Sequence, residues 1–141
     1  MVDDNGNVID LGSLCPSGTS GPLQAPIKRR EAGIPVIDVT FNGRQTFEML
    51  LDTGASATAI TPQMARTLGV VPEGTAIFET AGGRVQALLG RVKSVAAGGV
   101  VTNNIVVSIN DFLPIGLLGQ DFFGSYDVVI KQHVVEFRPR S

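Results

Sequence analysis

The sequence has few of the residues that build disulfides, zinc sites or catalytic triads. Cys15 is its only cysteine, which excludes an internal disulfide and a zinc site made of cysteines. His133 is its only histidine and lies in a predicted turn, far from any serine in a nucleophile setting, so we expect no Ser-His-Asp triad. The sequence also lacks a phosphate loop, an HExxH motif and a dinucleotide fingerprint. We therefore expect neither a metal nor a cofactor.

Excess charge and long apolar runs are also missing. The formal net charge is −2 and the isoelectric point about 5.3, so nothing in the composition attracts nucleic acid or an anionic membrane. No stretch approaches the roughly 18 consecutive apolar residues of a membrane span. No signal peptide is visible. A periplasmic or membrane-associated location would need a leader that has been removed, and otherwise we expect a soluble domain in the cytoplasm.

The residues that are abundant indicate a globular β protein. The chain has 141 residues, of which 43% are hydrophobic and 17% charged, a composition that can fold around one core. There are 17 glycines, 8 prolines and no tryptophan, which favours many short strands joined by turns. We interpret residues 1–30 as an N-terminal extension, with a Pro-, Ser- and Gly-rich linker at 16–26, and residues 31–141 as the domain.

Local signals place the secondary structure. Asn42 and Gly43 predict a hairpin turn, and Thr61 predicts the N-cap of a short helix that ends at Gly69. A second hairpin is predicted around residues 81–83. The predicted strands cover residues 34–41, 44–51, 57–60, 75–80, 84–89, 92–97, 100–109, 126–131 and 134–138, and the predicted helices or turns cover 63–68 and 120–125. We therefore predict a mainly β fold.

One stretch carries the chemistry. An apolar strand runs through Leu50 and Leu51 and ends abruptly at Asp52, Thr53 and Gly54. A carboxylate in this position is costly to bury unless another group pairs with it or shares its proton. A lone Asp-Thr-Gly could simply cap a turn at the end of a strand. The small residue and the hydroxyl residues that follow it favour a site instead.

Three motifs in order make the chain resemble the retropepsin-like aspartic proteases, the single-lobe relatives of pepsin, and bacterial members in particular. They are residues 50–56, the glycine-tipped hairpin at 81–83, and the apolar run with two glycines at 115–119. The resemblance covers about residues 33–138. It implies a small closed acid-protease barrel with a flap hairpin and one or two short helices.

The number of acids predicts a homodimer. Carboxylate-driven peptide hydrolysis needs two acids that share a proton across a water molecule. The chain has one Asp-Thr-Gly, and Asp111, Asp121 and Asp127 lack the same setting. The second acid must then be Asp52 of another copy, related by a two-fold axis. Two carboxyl groups that are close together cannot both ionise easily, so we expect an aspartic endopeptidase with greatest activity at acidic pH.

The resemblance also implies roles for individual residues. Asp52, Thr53 and Gly54 would form the catalytic group, with Thr53 bracing the two copies and Gly54 leaving space for a polypeptide substrate. The other expected substrate-binding residues are Ala55, Ser56, Ile77, Phe78, Ala81, Gly82 and Gly83, and the expected supporting residues are Thr58, Leu117, Leu118 and Gly119. Apolar pockets are expected near Ile60, Ile77, Phe78, Leu88 and Phe112.

The sequence departs from retroviral members at two positions. Ser56 and Gln120 stand where those members commonly carry Asp and Arg, so they could form a hydrogen bond but no ion pair. Residues 1–30 match no part of the family core and could be a propeptide, a strand that wraps the domain, or part of the dimer interface. Two other functions stay open: a non-catalytic peptide-binding or dimerisation module on the same fold, and a small β-barrel with no site.

Overall fold

The structure is a computed structural model that describes residues 23–111 and 113–140. Cys15 and most of the predicted N-terminal extension lie outside the described residues, as does Phe112. Within the described part, no helix is long and apolar enough to cross a membrane. The same part contains no group of three or more His, Cys, Asp and Glu side chains that could hold a metal ion.

Eleven strands and two short helices make up the described chain, so the prediction of a mainly β fold is confirmed. The strands are β1 Leu23–Pro26, β2 Arg29–Glu31, β3 Ile34–Phe41, β4 Gln45–Leu51, β5 Ala59–Ile60, β6 Pro72–Thr80, β7 Gly83–Ala97, β8 Val100–Ile109, β9 Gly116–Leu118, β10 Tyr126–Ile130 and β11 Val134–Pro139, and the helices are α1 Pro62–Leu68 and α2 Gln120–Phe123.

Eight strands form one sheet in the order β2-β3-β4-β9-β5-β8-β7-β6. An additional pairing joins β3 to β7, through Thr40 with Ala96 and Phe41 with Val95. It closes six strands, β3, β4, β9, β5, β8 and β7, into a ring. This ring is the small closed barrel that the sequence predicted. Its interior is filled by side chains with no exposed surface, among them Phe41, Met49 and Val95.

The hairpin turn and the helix caps that the sequence predicted are present in the structure. Asn42 and Gly43 adopt left-handed backbone conformations, with φ of 56° and 71°, which turn β3 back into β4. The Thr61 side chain accepts a hydrogen bond from the Met64 amide at the start of α1. Gly69, with φ of 71°, ends the helix, and its amide donates to the carbonyls of Ala65 and Arg66.

Several predicted boundaries are wrong: β5 begins at Ala59 and not at residue 57, and β6 begins at Pro72 and not at residue 75. Two further differences are larger. Residues 23–26 were predicted as part of a linker, but they form β1, which pairs with β11 and places Ala25 in the core. The break predicted between residues 89 and 92 does not occur, because β7 runs through Gly90 without interruption. A Cβ atom at Gly90 would lie 2.3 Å from the Val70 side chain, so the glycine lets Val70 pack against a continuous strand.

The chain crossing at β9 positions the predicted site. β9 lies between β4 and β5, parallel to β4 and antiparallel to β5. The loop that leaves β4 at Asp52 and returns at β5 must therefore pass over the end of β9. The motif at residues 115–119 thus lies beside the motif at residues 50–56 in the sheet, although the two are far apart in sequence.

Candidate active site

Asp52 is the first residue after β4 and is half-buried. Its amide donates to the Leu118 carbonyl over 3.1 Å, which continues the pairing of β4 with β9. Its Oδ1 accepts a hydrogen bond from the Gly54 amide at 3.0 Å, and its carbonyl accepts one from the Ala55 amide at 3.0 Å. No cationic side chain of the described residues forms an ion pair with it. The backbone of Asp52 is therefore fixed at both of its polar groups, and its carboxylate is oriented by one backbone donor, the Gly54 amide.

Gln120 ties the middle of this loop to α2. Its side-chain Nε2 donates to the Thr53 carbonyl over 2.9 Å, and its amide donates to the Ala55 carbonyl over 2.9 Å. The sequence suggested that Gln120 could replace an ion pair by hydrogen bonding, and it bonds to the loop backbone. Ser56, the other residue of that suggestion, is exposed and makes no hydrogen bond with the described residues. Gln120 thus acts within one chain and without Ser56.

Thr58 fixes the far end of the loop, and its partner was missed at the sequence level. Thr58 has no exposed surface. Its amide and its hydroxyl both donate to the carboxylate of Asp121, which sequence reasoning had set aside because it follows no Asp-Thr-Gly pattern. Because the two residues are 63 positions apart, no local pattern in the sequence could have paired them.

Gly119 allows the two motifs to meet. A Cβ atom at this position would lie 2.6 Å from the carbonyl carbon and oxygen of Ala57, closer than real Cβ atoms come to backbone. Glycine is therefore the residue that lets the loop backbone rest on the start of α2. Gly54 differs, because a Cβ atom there would meet Asp52 Oδ1 at 3.5 Å, an ordinary contact. The expected role of Gly54 in leaving space for a substrate stays a prediction.

A cleft of about 260 Å³ lies between the loop and the flap hairpin. The structure brings Ala55, Ser56, Phe78 and Leu117 together in its lining, with further contributions from Ala57, Ala59, Glu79, Val85, Ser108, Asn110 and Leu113. The apolar lining agrees with the expectation of apolar pockets. Asp52 and Thr53 are not part of this lining.

Three residues expected in pockets lie elsewhere. Ile77 and Leu88 are exposed, at 63% and 44%, on the outer face of the flap hairpin. Neighbouring residues of a strand point to opposite faces, so Phe78 faces the cleft while Ile77 faces away. Ile60 is fully buried in the barrel core. Leu118 is likewise a core residue, whereas Leu117 reaches the cleft.

The flap is the hairpin of β6 and β7, which pair from Pro72–Gly90 to Thr80–Gly83. Its tip is the turn at Ala81 and Gly82, which are exposed, and Gly83 continues into β7 with φ of 113°. Beside the tip, Arg84 donates to Glu79 over 2.7 Å, and both side chains are mostly exposed. The expected flap residues therefore lie at the rim, above the cleft lining.

The comparisons with known proteins agree with this geometry. A family model described as "gag-polyprotein putative aspartyl protease" matches residues 37–125. The chain is also similar to the crystal structure of a retropepsin-like aspartic protease from Rickettsia conorii, with 26% sequence identity and a TM-score of 0.66. That match covers 81% of this chain and 89% of the Rickettsia chain. No curated protein matches the chain.

Proposed function

Because the chain belongs to the family of gag-polyprotein aspartyl proteases, we propose that it is an aspartic endopeptidase that works as a homodimer. It hydrolyses extended polypeptides with a water molecule held between Asp52 of one copy and Asp52 of the other. The observation that carries the proposal is the loop around Asp52, which orients one carboxylate through the Gly54 amide, in a chain with a single Asp-Thr-Gly. A water-sharing pair of acids is complete only when a second loop is present.

The two carboxyl groups have different tasks in one turnover. The ionised Asp52 takes a proton from the water as the water oxygen attacks the peptide carbonyl carbon. The protonated Asp52 of the other copy donates a proton to the carbonyl oxygen. Collapse of the tetrahedral intermediate breaks the C–N bond. The carboxyl that took the proton from the water gives it to the leaving nitrogen, and the other carboxylate takes a proton back from a hydroxyl of the intermediate, so that both acids return to their starting states. One shared proton is needed at the start, so activity is greatest at acidic pH.

The surroundings of Asp52 suit this reaction. Thr53 is exposed, and its carbonyl is occupied by Gln120, which leaves its side chain available to the second copy. Gly54 and Ser56 at the loop edge offer backbone groups to an extended substrate, and Ala55, whose amide and carbonyl are bonded within the chain, lines the cleft. The flap tip at residues 81–83 closes over the peptide and donates backbone hydrogen bonds. Phe78 and Leu117 receive apolar side chains of the substrate.

Cleavage of an unfolded protein or a peptide library at about pH 4 to 6 tests the proposal. We expect the unaltered chain to cut and Asp52→Asn and Asp52→Ala to lose at least about 10³-fold in rate, because each copy loses its acid. Asp38→Asn, a charge change on an exposed residue of β3, is the matched control and should cut normally. Cleavage that survives Asp52→Asn would contradict the mechanism.

The dimer requires a separate measurement. We expect sedimentation to show a dimer at the concentrations where the chain cuts, and the rate per chain to fall on dilution below the dissociation constant. A chain that cuts while strictly monomeric would overturn the shared pair of acids. A dimer that binds peptides at all pH values without cutting them would instead indicate the peptide-binding module.

A further inference from the structure

The carboxylate of Asp121 has no part in the proposed reaction, yet it accepts three hydrogen bonds from a single residue. The Thr58 amide donates to Oδ1 at 3.0 Å and to Oδ2 at 3.1 Å. The Thr58 hydroxyl donates to Oδ1 at 2.7 Å. Thr58 is fully buried, so neither of its donors can turn to bulk water. Hydrogen bonds to a charged acceptor are the stronger class of such bonds.

A fourth hydrogen bond fixes the direction of the Thr58 hydroxyl. The Gly119 amide donates to Thr58 Oγ1 over 3.1 Å, so this oxygen is the acceptor there and its own proton goes to Asp121. The hydroxyl thus links the end of β9 to the first turn of α2. Replacing it by a methyl group would leave the Gly119 amide without this partner and remove the shortest bond to Asp121.

These bonds complete the attachment of the loop at residues 52–58, here called the active loop, to one short segment. The Asp52 amide binds the Leu118 carbonyl at the start of the loop, and Gln120 binds Thr53 and Ala55 in its middle. Asp121 and Gly119 bind Thr58 at its end. These contacts all come from residues 118–121, and one further backbone bond, from the Ser108 amide to the Thr58 carbonyl, holds the same end from β8. A loss at the Thr58 side chain therefore weakens the support of that end of the loop.

We propose that Asp121 is a positioning residue for Asp52, which acts through Thr58 by fixing the far end of the active loop. The inference rests on the proposed function for its effect on catalysis. Its structural half, the fixed loop, holds whether or not the chain cuts peptides. Asp121 does not touch the reacting atoms, so its loss should change the turnover rate more than the binding of substrate.

Amide hydrogen exchange of the full chain tests the structural half. We expect Thr58→Val to speed exchange at residues 54–58 by about 10- to 100-fold, since the hydroxyl loses its bond to the charged Asp121 and the Gly119 amide loses its acceptor. Asp121→Ala should give a smaller increase, of about tenfold, because Asp121 is exposed on its outer side and water can replace part of the carboxylate. Thr58→Ser keeps the hydroxyl and should restore slow exchange. Asp38→Asn is the control for a change in charge.

Steady-state kinetics test the catalytic half. Thr58→Val and Asp121→Ala should lower kcat by about tenfold or more while KM changes less than about threefold, and Thr58→Ser should recover kcat. The double variant should lose less than the product of the two single losses, because both changes remove the bond from the Thr58 hydroxyl to Asp121. A merely destabilised protein would instead lose active dimer, so kcat is referred to the concentration of dimer measured by sedimentation.

The outcomes separate this inference from the proposed function. If the unaltered chain cuts nothing, the proposed function fails, and exchange at residues 54–58 still decides whether Asp121 holds the loop. Unchanged exchange in Thr58→Val and Asp121→Ala overturns the inference, and so does faster exchange with unchanged kcat. Asp121→Asn, which keeps the shape but loses the charge and one acceptor oxygen, should still speed exchange and serves if either larger change prevents folding.

Discussion

The active loop and the end of the flap hairpin, residues 79–84, bound the same cleft and are held in different ways. Backbone and side-chain hydrogen bonds fix the active loop at its start, middle and end, to residues 118–121. The end of the flap hairpin pairs strand to strand, β6 with β7. Among its described side chains, Glu79 and Arg84 form an exposed ion pair. The side that carries the acid is thus organised before a substrate arrives, and the side that covers the substrate has freedom to adapt.

The largest expected effect comes from disturbing the support of the active loop. Gly119→Ala places a Cβ atom 2.6 Å from the Ala57 backbone, so the loop and α2 must separate. We expect the free energy of unfolding to fall by about 3 kcal/mol and cleavage to be lost. Denaturant unfolding and the peptide assay measure the two effects.

Gly54→Ala is the matched control for stability, since its Cβ atom meets Asp52 Oδ1 at an ordinary 3.5 Å. We expect its free energy of unfolding to stay within about 0.5 kcal/mol of the unaltered value. Equal losses of stability in the two glycine variants would show that the close approach at Gly119 does not control the loop, and the contrast between the two regions would disappear.

A smaller effect is expected from the flap, where two neighbouring residues give a matched pair. Phe78 lines the cleft, and Ile77 is 63% exposed on the outer face. Phe78→Ala should raise KM for extended peptides by about tenfold with little change in stability, because an apolar contact with the substrate is lost. Ile77→Ala should leave KM within about twofold. A larger effect from Ile77 would mean that the outer face of the flap takes part in binding.

The features that the sequence predicted well depend on neighbouring residues. The turn at Asn42 and Gly43 and the cap at Thr61 follow from local conformational preferences, and Asp52 was recognised because it ends an apolar strand abruptly. The features that were missed depend on distant pairings. Thr58 and Asp121 are 63 positions apart, and no local rule pairs them.

The face of the flap on which each residue of β6 lies could not be predicted from the sequence either. Residues 75–80 alternate only loosely between apolar and polar side chains, so the sequence could not decide which of Ile77 and Phe78 faces the cleft. Pairing of Phe78 with Val85 across the hairpin, and of Ile77 with Gln86, settles the orientation. Likewise, β1 exists because β11 offers it an edge, which the Pro- and Gly-rich composition around it did not indicate.

Two ion pairs that differ in burial predict the smallest effect. Glu136 of β11, in the three-stranded sheet with β1 and β10, is only 10% exposed and lies between Lys131 and Arg138 at 2.9 Å. Hydrogen bonds from Lys131 and then Arg138 hold the pKa of this carboxyl below its ordinary value of 4.5. A lowered pKa in the folded state adds stability above that value, and this stability is lost as the pH falls through the folded pKa.

Glu136→Gln should therefore flatten the decline of the free energy of unfolding on acidification below about pH 4.5, while lowering stability slightly at neutral pH. Glu79→Gln, which breaks the exposed pair beside the flap tip, should leave the decline unchanged because Glu79 and its partner Arg84 are both solvated. Denaturant unfolding in steps from about pH 7 to 3 measures both. If the stability of the two variants declines in parallel with that of the unaltered chain, the three-stranded sheet that contains Glu136 does not limit the stability of the chain in acid. If Glu79→Gln alone flattens the curve, the flap is the region whose ionisation matters, and the contrast drawn between the two regions is reversed.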